Sequence, residues 1–418
     1  MRANRRAARD ATSLVGAVAV LVLALAVAGD EGVNSVRPAA VRLLRDPKAC
    51  VALAEEAGRA ILAREPKERD PCVYSGDAGV ALLYVGLYRA TGKKEWLDAA
   101  RQALDRAVAA TGDDPGLYTG RAGVGQVCVD AYRASGEAAF LAMARECAKG
   151  LDDPRATDVI SGAAGIGIFR LNLHVATGAK EDLDAARRTG DWLARRAIGV
   201  EGAVCWRVGA DETSRIFTGF SHGAAGIGYF LLGVSRATGE AYYADLAEEA
   251  ARFVARNATP EGDDGWLWYR TVPPDKDEQI RVQWCHGPPG NGLLFAALVR
   301  AGKRAHRPAL DRCLATTRRL GRTARTGGCQ CHGVAGNAEL LLEAYLLTKD
   351  KALLDEARHW GTALLVPRGE GFAVDTEYDS SYMLGLAGIG HFFLRLADPE
   401  GTPLPLMVVD GPREGGGK

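Results

Sequence analysis

Apolar residues recur at three- and four-residue steps over most of this chain, and β-branched alternation is scarce. That periodicity predicts helices rather than strands. Two kinds of helix alternate. Stretches such as "VALLYVGLYRATG" and "IGYFLLGVSRATG" are apolar nearly all round. Stretches such as "KKEWLDAARQALDRAVAA" and "EAYYADLAEEAARFVARNA" carry one apolar face, with Glu, Lys and Arg between. A helix without a polar face belongs inside, and its one-faced partner outside. Short turns ending in glycine ("RATG", "RASG", "VATG") separate several of the pairs.

The same punctuation precedes each all-apolar stretch. Gly-x-x-Gly recurs in matching context at Gly76, Gly120, Gly162, Gly223, Gly287, Gly333 and Gly385, in steps of 42 to 64 residues. A period of that size marks a repeat architecture. The unit is a glycine loop, an inner helix, a turn and an outer helix. Seven such hairpins without distinct polar capping repeats predict a closed ring, an all-α, double-layered α/α toroid. Glycine ahead of each inner helix predicts a tight turn, with freedom for φ > 0 and for close approach of backbones, and helix N-termini exposed around one rim. Two units carry additions near 200–219 and 260–281, with Trp206, Trp266, Trp268 and Tyr269. These read either as substrate contacts or as a cover with buried aromatics.

Composition fits a globular protein: 47% of the 418 residues are hydrophobic and 25% charged. Lys and Arg total 52, as do Asp and Glu, and no concentrated basic face is evident, which argues against nucleic-acid binding. The nine cysteines are an odd number in a long chain and do not read as a disulfide framework. Cys128 and Cys147 fall in apolar helical patterns and read as core.

The first residues stand apart. Arg2, Arg5, Arg6 and Arg9 precede an uncharged run over 11–29, and Ala26-Val27-Ala28 offers a small-x-small cleavage site. Residues 1–33 therefore read as a signal peptide or N-terminal membrane anchor, residues 34–398 as the toroid, and residues 399–418 as a disordered tail. The protein is expected to be exported or membrane-anchored, with the arginines keeping their end in the cytoplasm and placing the body outside. A cytoplasmic body is the alternative if that segment packs on the toroid or the start is misassigned.

Chemistry concentrates in "VQWCHGPPGNG" and "CQCHGVAGN". Cys285-His286 precedes Gly287 and Cys331-His332 precedes Gly333, in neighbouring loops of the expected ring. Thiolate and imidazole donors from adjacent loops suit one Zn²⁺ ion, and two Cys with one His would leave a coordination position open for substrate.

The seven glycine repeats, with "WCHGPPG" and "CHGVAGN", resemble the LanC-like family of lanthionine synthetase C cyclases and LanC-like proteins, over roughly residues 40–398. The resemblance implies a seven-hairpin α/α toroid and one zinc ion held by Cys285, Cys331 and His332, leaving His286 and Cys329 as non-ligands. "ATDVISGAAG" resembles the segment carrying an acidic active-site residue, here Asp158, and "GFSHGAAGIG" the one carrying an active-site histidine, here His222. Arg281 stands four residues before Cys285, where the family often has an arginine implicated in enolate stabilisation. Read without the resemblance, Asp158 is a loop cap, His222 a hydrogen-bonded structural histidine and Arg281 a surface residue. His174, His306, His359 and His391 fall in helical patterns and read as structural.

The implied reaction is zinc-dependent addition of a thiol to a dehydroalanine or dehydrobutyrine, within one peptide or between two molecules. His222 would be the acid, with Asp158 orienting it or taking the thiol proton, and Arg281 would stabilise the oxyanion. Implied partners are a peptide or protein bearing the dehydroamino acid, a thiol (an internal Cys or a small molecule such as glutathione) and a separate dehydratase, since nothing in the chain resembles one. Two rivals stand beside this: a non-catalytic, zinc-stabilised binding or scaffold protein, and another thiol-activating zinc toroid such as a prenyltransferase β-subunit. The latter would need an Asp-Cys-His set and aromatic-rich funnels, against an aromatic content here of 7%. A toroidal glycosidase would need a second carboxylate opposite Asp158.

Overall fold

The computed structural model describes residues 38–64, 70–209, 211–323 and 326–408. The segment expected to be a signal or anchor lies outside them. Among the described residues no helix is long and apolar enough to cross a membrane.

Six hairpins follow in order: α2 (Asp77–Thr91) with α3 (Lys94–Ala110), α4 (Arg121–Ser135) with α5 (Ala138–Ala148), α6 (Ala163–Thr177) with α7 (Lys180–Ala194), α8 (Ala224–Thr238) with α9 (Ala241–Arg256), α10 (Pro288–Arg300) with α11 (Arg307–Leu320), and α12 (Val334–Thr348) with α13 (Lys351–Gly361). The seventh inner helix, α14 (Leu386–Ala397), has no outer helix after it among the described residues. Its partner is α1 (Pro47–Leu62), from the other end of the chain. Consecutive inner helices pack side by side, and α14 packs on α2, so the ring closes. The expected toroid is therefore present, with its last hairpin assembled from both chain ends.

Burial follows the two helix types. Inner α12 buries ten of its residues, from Val334 round to Ala344, whereas outer α13 buries the single stripe Leu353, Leu354, Ala357, Trp360 and Gly361. Several turns between inner and outer helices end in glycine with φ of +67° to +79°, at Gly92, Gly136, Gly178 and Gly239. A left-handed residue at that place closes a helix C-terminus, and glycine takes it without strain.

The Gly-x-x-Gly loops differ from expectation in two respects. Of the seven first glycines, only Gly287 has a positive φ, at +137°. Nor are the helix N-termini left open: at α12 the amides of Val334, Ala335 and Gly336 donate to the carbonyls of Gly327, Gly328 and Cys329. The loop folds back over the helix start and satisfies the first-turn donors. This fold-back explains the second glycine. At all seven copies a Cβ there would stand 1.7–2.2 Å from the carbonyl oxygen six residues earlier, as Gly336 would from Gln330.

One residue in each loop, two before the first glycine, links the loops into a belt. Tyr74 N donates to Tyr118 O, Tyr118 N to Ile160 O, Val159 N to Ser221 O, Ser221 N to Cys285 O, Cys285 N to Cys331 O, Cys331 N to Met383 O, and Met383 N back to Tyr74 O. Seven main-chain hydrogen bonds of 2.9–3.3 Å thus run once round the rim, with a one-residue step at the third loop.

The two long additions pack on outer helices and meet the rim at loops three and four, where Thr157 N donates to Val208 O and Thr218 N to Arg270 O. Each forms a short hairpin, β1 (Ile198–Val200) with β2 (Ala203–Cys205), and β4 (Thr259–Glu261) with β5 (Gly265–Leu267). They are joined to each other by β3 (Ile216–Phe217) and β6 (Thr271–Val272). Trp206 and Trp268 are buried, and their indole N–H groups donate to Leu193 O and Val254 O. Those two aromatics hold the additions to the outer helices. A third hairpin, β7 (Leu365–Arg368) with β8 (Gly371–Val374), precedes the last loop.

The tail expected to be disordered from residue 399 is packed through Val408. Leu406 and Met407 are buried, Asn172 Nδ2 donates to Met407 O, and Arg395 donates to Thr402 O. The apolar pair Leu406-Met407 and a buried Arg395, itself held by Glu339 and Glu343, tie this stretch to the end of the toroid opposite the rim. Residues 409–418 lie outside the described ones.

Candidate active site

Loops five and six carry the thiols. Cys285 and Cys331 occupy the same belt position, are both buried, and are bonded to each other through the main chain (Cys285 N to Cys331 O, 3.3 Å). Trp284, buried against Tyr118 and Phe220, fixes the fifth loop from below. Asn337 Nδ2 ties α12 to the same loop by donating to Val282 O at 3.0 Å.

The Cys331 sulfur is the hub. Cys285, His332 and Tyr74 all lie within hydrogen-bonding reach of it, with Tyr74 Oη at 3.2 Å. Those bonds, the one from Cys285 foremost, hold the Cys331 thiol well below its ordinary value, while the same bond and burial push Cys285 up. The thiolate in turn raises His332. Cys329 is simply buried, which pushes its thiol up. Two thiols and an imidazole meeting on adjacent, hydrogen-bonded loops fit a zinc ion in donor type. Among the described residues no group of three or more His, Cys, Asp or Glu is arranged to hold an ion as it stands.

Loops three and four carry the second group. Asp158 Oδ2 lies 2.5 Å from His222 Nδ1, and Asp158 Oδ1 accepts from Ser161 N and Oγ. The carboxylate is 1% exposed and the imidazole 35%. With Nδ1 donating to the buried carboxylate, Nε2 is the imidazole's acceptor. The His222 ring faces Phe217 and His286, with centroids 5.7 and 5.8 Å away. His286 also stacks on Phe217, its Nδ1 is buried without a partner, and burial followed by the His222 charge lowers its pKa to about 3.

Ser221 joins the two groups. Its N–H and its hydroxyl both donate to Cys285 O, at 3.3 and 2.9 Å, which sets His222 beside the thiol loop. Of the residues named from sequence, Cys285, Cys331 and His332 are thus brought together, Asp158 and His222 are brought together, and Ser221 links the sets. Arg281 is exposed on the approach to loop five, and its charge disfavours protonation of His286 and His332. Sequence reasoning missed Tyr74 and Ser221. Superposing the seven loops by register would have placed both in the slot that Cys285 and Cys331 occupy.

A separate cavity of about 470 Å³ is lined by the C-terminal halves of α8, α10 and α12 and by the packed tail, and shares no residue with these groups.

A closed seven-hairpin toroid whose loops set cysteine and histidine at one rim defines the class. The sequence pattern of the lanthionine synthetase C-like protein family matches residues 67–409, and the chain belongs to that family. It is similar to "Glutathione S-transferase LANCL1" of Danio rerio, at 27% identity over 195 residues, 46% of each chain. The match thus spans about half the length of that relative. In fold it is similar to "Nisin cyclase", with a TM-score of 0.63 at 14% identity over 86% of this chain and 94% of that one.

Proposed function

We propose that the protein adds a thiol to the β-carbon of a dehydroamino acid in a peptide or protein, forming a thioether, with one Zn²⁺ held by Cys285, Cys331 and His332. The observation that carries this is the Ser221 link, which sets a carboxylate–imidazole pair beside the two-cysteine, one-histidine donor set. When bound, zinc would supply an open position at which a substrate thiol is held as thiolate.

The chain's own residues do the rest. Asp158 is sealed from solvent and already bonded to Ser161 and His222, so it orients the imidazole and stabilises its charged form. His222 Nε2 faces outward and carries the mobile proton: it takes the proton of the incoming thiol and returns it to the α-carbon once the C–S bond has formed. One proton leaves sulfur and one arrives at carbon, so the addition balances. Arg281, exposed beside loop five, steers the anionic enolate oxygen. Phe217 and His286 stand against the His222 ring and would limit water at the reacting carbon.

The substrate is one already dehydrated by a dehydratase activity. A lanthionine-forming cyclisation fits the family and the fold neighbour's name, and intermolecular addition of glutathione fits the name of the partial relative. An exported or membrane-anchored location remains the reading of the first 33 residues. The decisive experiment is incubation with a dehydroalanine peptide and a panel of thiols, following adduct mass. Acceleration that His222→Ala abolishes supports the reaction. No acceleration with any thiol, in a zinc-loaded protein, leaves the binding or scaffold role in its place.

A further inference from the structure

Tyr74 and Cys331 are separated by 257 residues, yet the phenol hydroxyl donates to the cysteine sulfur at 3.2 Å. The ring explains the meeting. Loop seven lies between loops six and one, and two belt bonds, Cys331 N to Met383 O at 2.9 Å and Met383 N to Tyr74 O at 3.0 Å, set the spacing. A third, Tyr74 N to Tyr118 O at 2.9 Å, holds the tyrosine from its other side. The Cys285 sulfur has a different neighbour, Gln283 Oε1 at 3.6 Å, which is an acceptor. Two sulfurs that occupy equivalent slots are therefore in inequivalent surroundings: one receives a phenol hydrogen bond and the other faces an amide oxygen.

We propose that Tyr74 is a positioning residue for the zinc centre, whose hydroxyl orients the Cys331 sulfur and draws electron density from it. The inference rests on the zinc reading above. A hydrogen bond to a thiolate lowers the charge it donates to a metal, and the metal keeps more of its own positive charge for a substrate thiol. The geometry needs no movement of Tyr74, because three main-chain bonds already fix its place and that of its acceptor.

The test compares the full chain with Tyr74→Phe, which keeps the ring and removes only the hydroxyl, and with Tyr118→Phe from the next belt slot. Zinc affinity is read by chelator competition and the sulfur environment by the charge-transfer band of the Co²⁺-substituted protein. Tyr74→Phe should bind zinc about 10-fold more weakly, because losing the bond that orients the sulfur outweighs the stronger donation of the freed thiolate, and should move the band to lower energy, because a thiolate without its donor is easier to oxidise. Tyr118→Phe should change neither. Unchanged affinity and spectrum in Tyr74→Phe, or an equal shift in Tyr118→Phe, overturns the role of Tyr74. A wild-type protein that takes up neither ion overturns the zinc reading itself, and this inference with it.

Discussion

Asp158 and His222 come from successive loops of the ring and meet with 2.5 Å between Oδ2 and Nδ1, the carboxylate sealed and the imidazole partly exposed. That asymmetry separates their tasks. Replacing His222 by alanine should slow thioether formation by about 10²–10⁴-fold, measured by single-turnover mass spectrometry, with zinc content unchanged. Asp158→Asn should also slow the reaction, because the amide no longer stabilises a charged imidazole. If Asp158→Asn leaves the rate at the wild-type value, the pair is structural.

The two Cys-His sequences look alike and should behave differently. Only His332 joins the Cys331 hub, whereas His286 lies against Phe217 and His222. His332→Ala should lose zinc by more than the about 10–100-fold typical of a residue outside the ligand set, while His286→Ala should retain most of it. Metal content after gel filtration decides. Equal losses would mean that His286 binds the ion.

The second glycine of each repeat is a steric requirement. A methyl group at Gly336 would lie 1.7 Å from Gln330 O, so Gly336→Ala must push the folded-back loop off its helix. A loss of about 1–3 kcal/mol or more is expected, read as a lower midpoint of denaturant unfolding. Gly112→Ala, where the new Cβ meets nothing within 4 Å, is the control and should be nearly neutral.

His391, buried under Tyr382 in α14, has its pKa lowered to about 3, by burial first and then by the Arg395 charge. The unfolded chain binds a proton there below about pH 6.5 and the folded chain does not until about pH 3. Stability therefore falls as pH drops through that window, by up to about 1.4 kcal/mol per pH unit from this group. His391→Leu should flatten that part of the profile in urea titrations at successive pH values. An unchanged slope would show that the side chain is protonated in the fold.

Much of the fold was legible because the signals are local. Apolar residues all round one helix and on one stripe of the next decide which layer each occupies, and glycine spacing decides the number of units. The pairing of α1 with α14 was not legible, since periodicity says nothing about contact between chain ends. Close backbone approach at the glycines was legible, but not which backbone comes close: the steric conflict between Gly336 and Gln330 exists only after the loop has folded back. In the site, Cys285, Cys331, His332, Asp158 and His222 were readable because their residue types carry chemistry. Tyr74 and Ser221 were not, because a phenol and a hydroxyl become informative only when the belt brings them to a cysteine 257 or 64 residues away.

The belt itself is built from amide and carbonyl groups alone, so it asks nothing of the side chains it displays. Its seven slots hold Tyr, Tyr, Ile, Ser, Cys, Cys and Met, linked by amide and carbonyl throughout, with Val159 donating in place of Ile160 at the third loop. The rim is in this sense a socket with interchangeable pins. A thiol moved from one slot to its neighbour would keep its support, which makes the scaffold a ready starting point for relocating a metal centre by substitution alone.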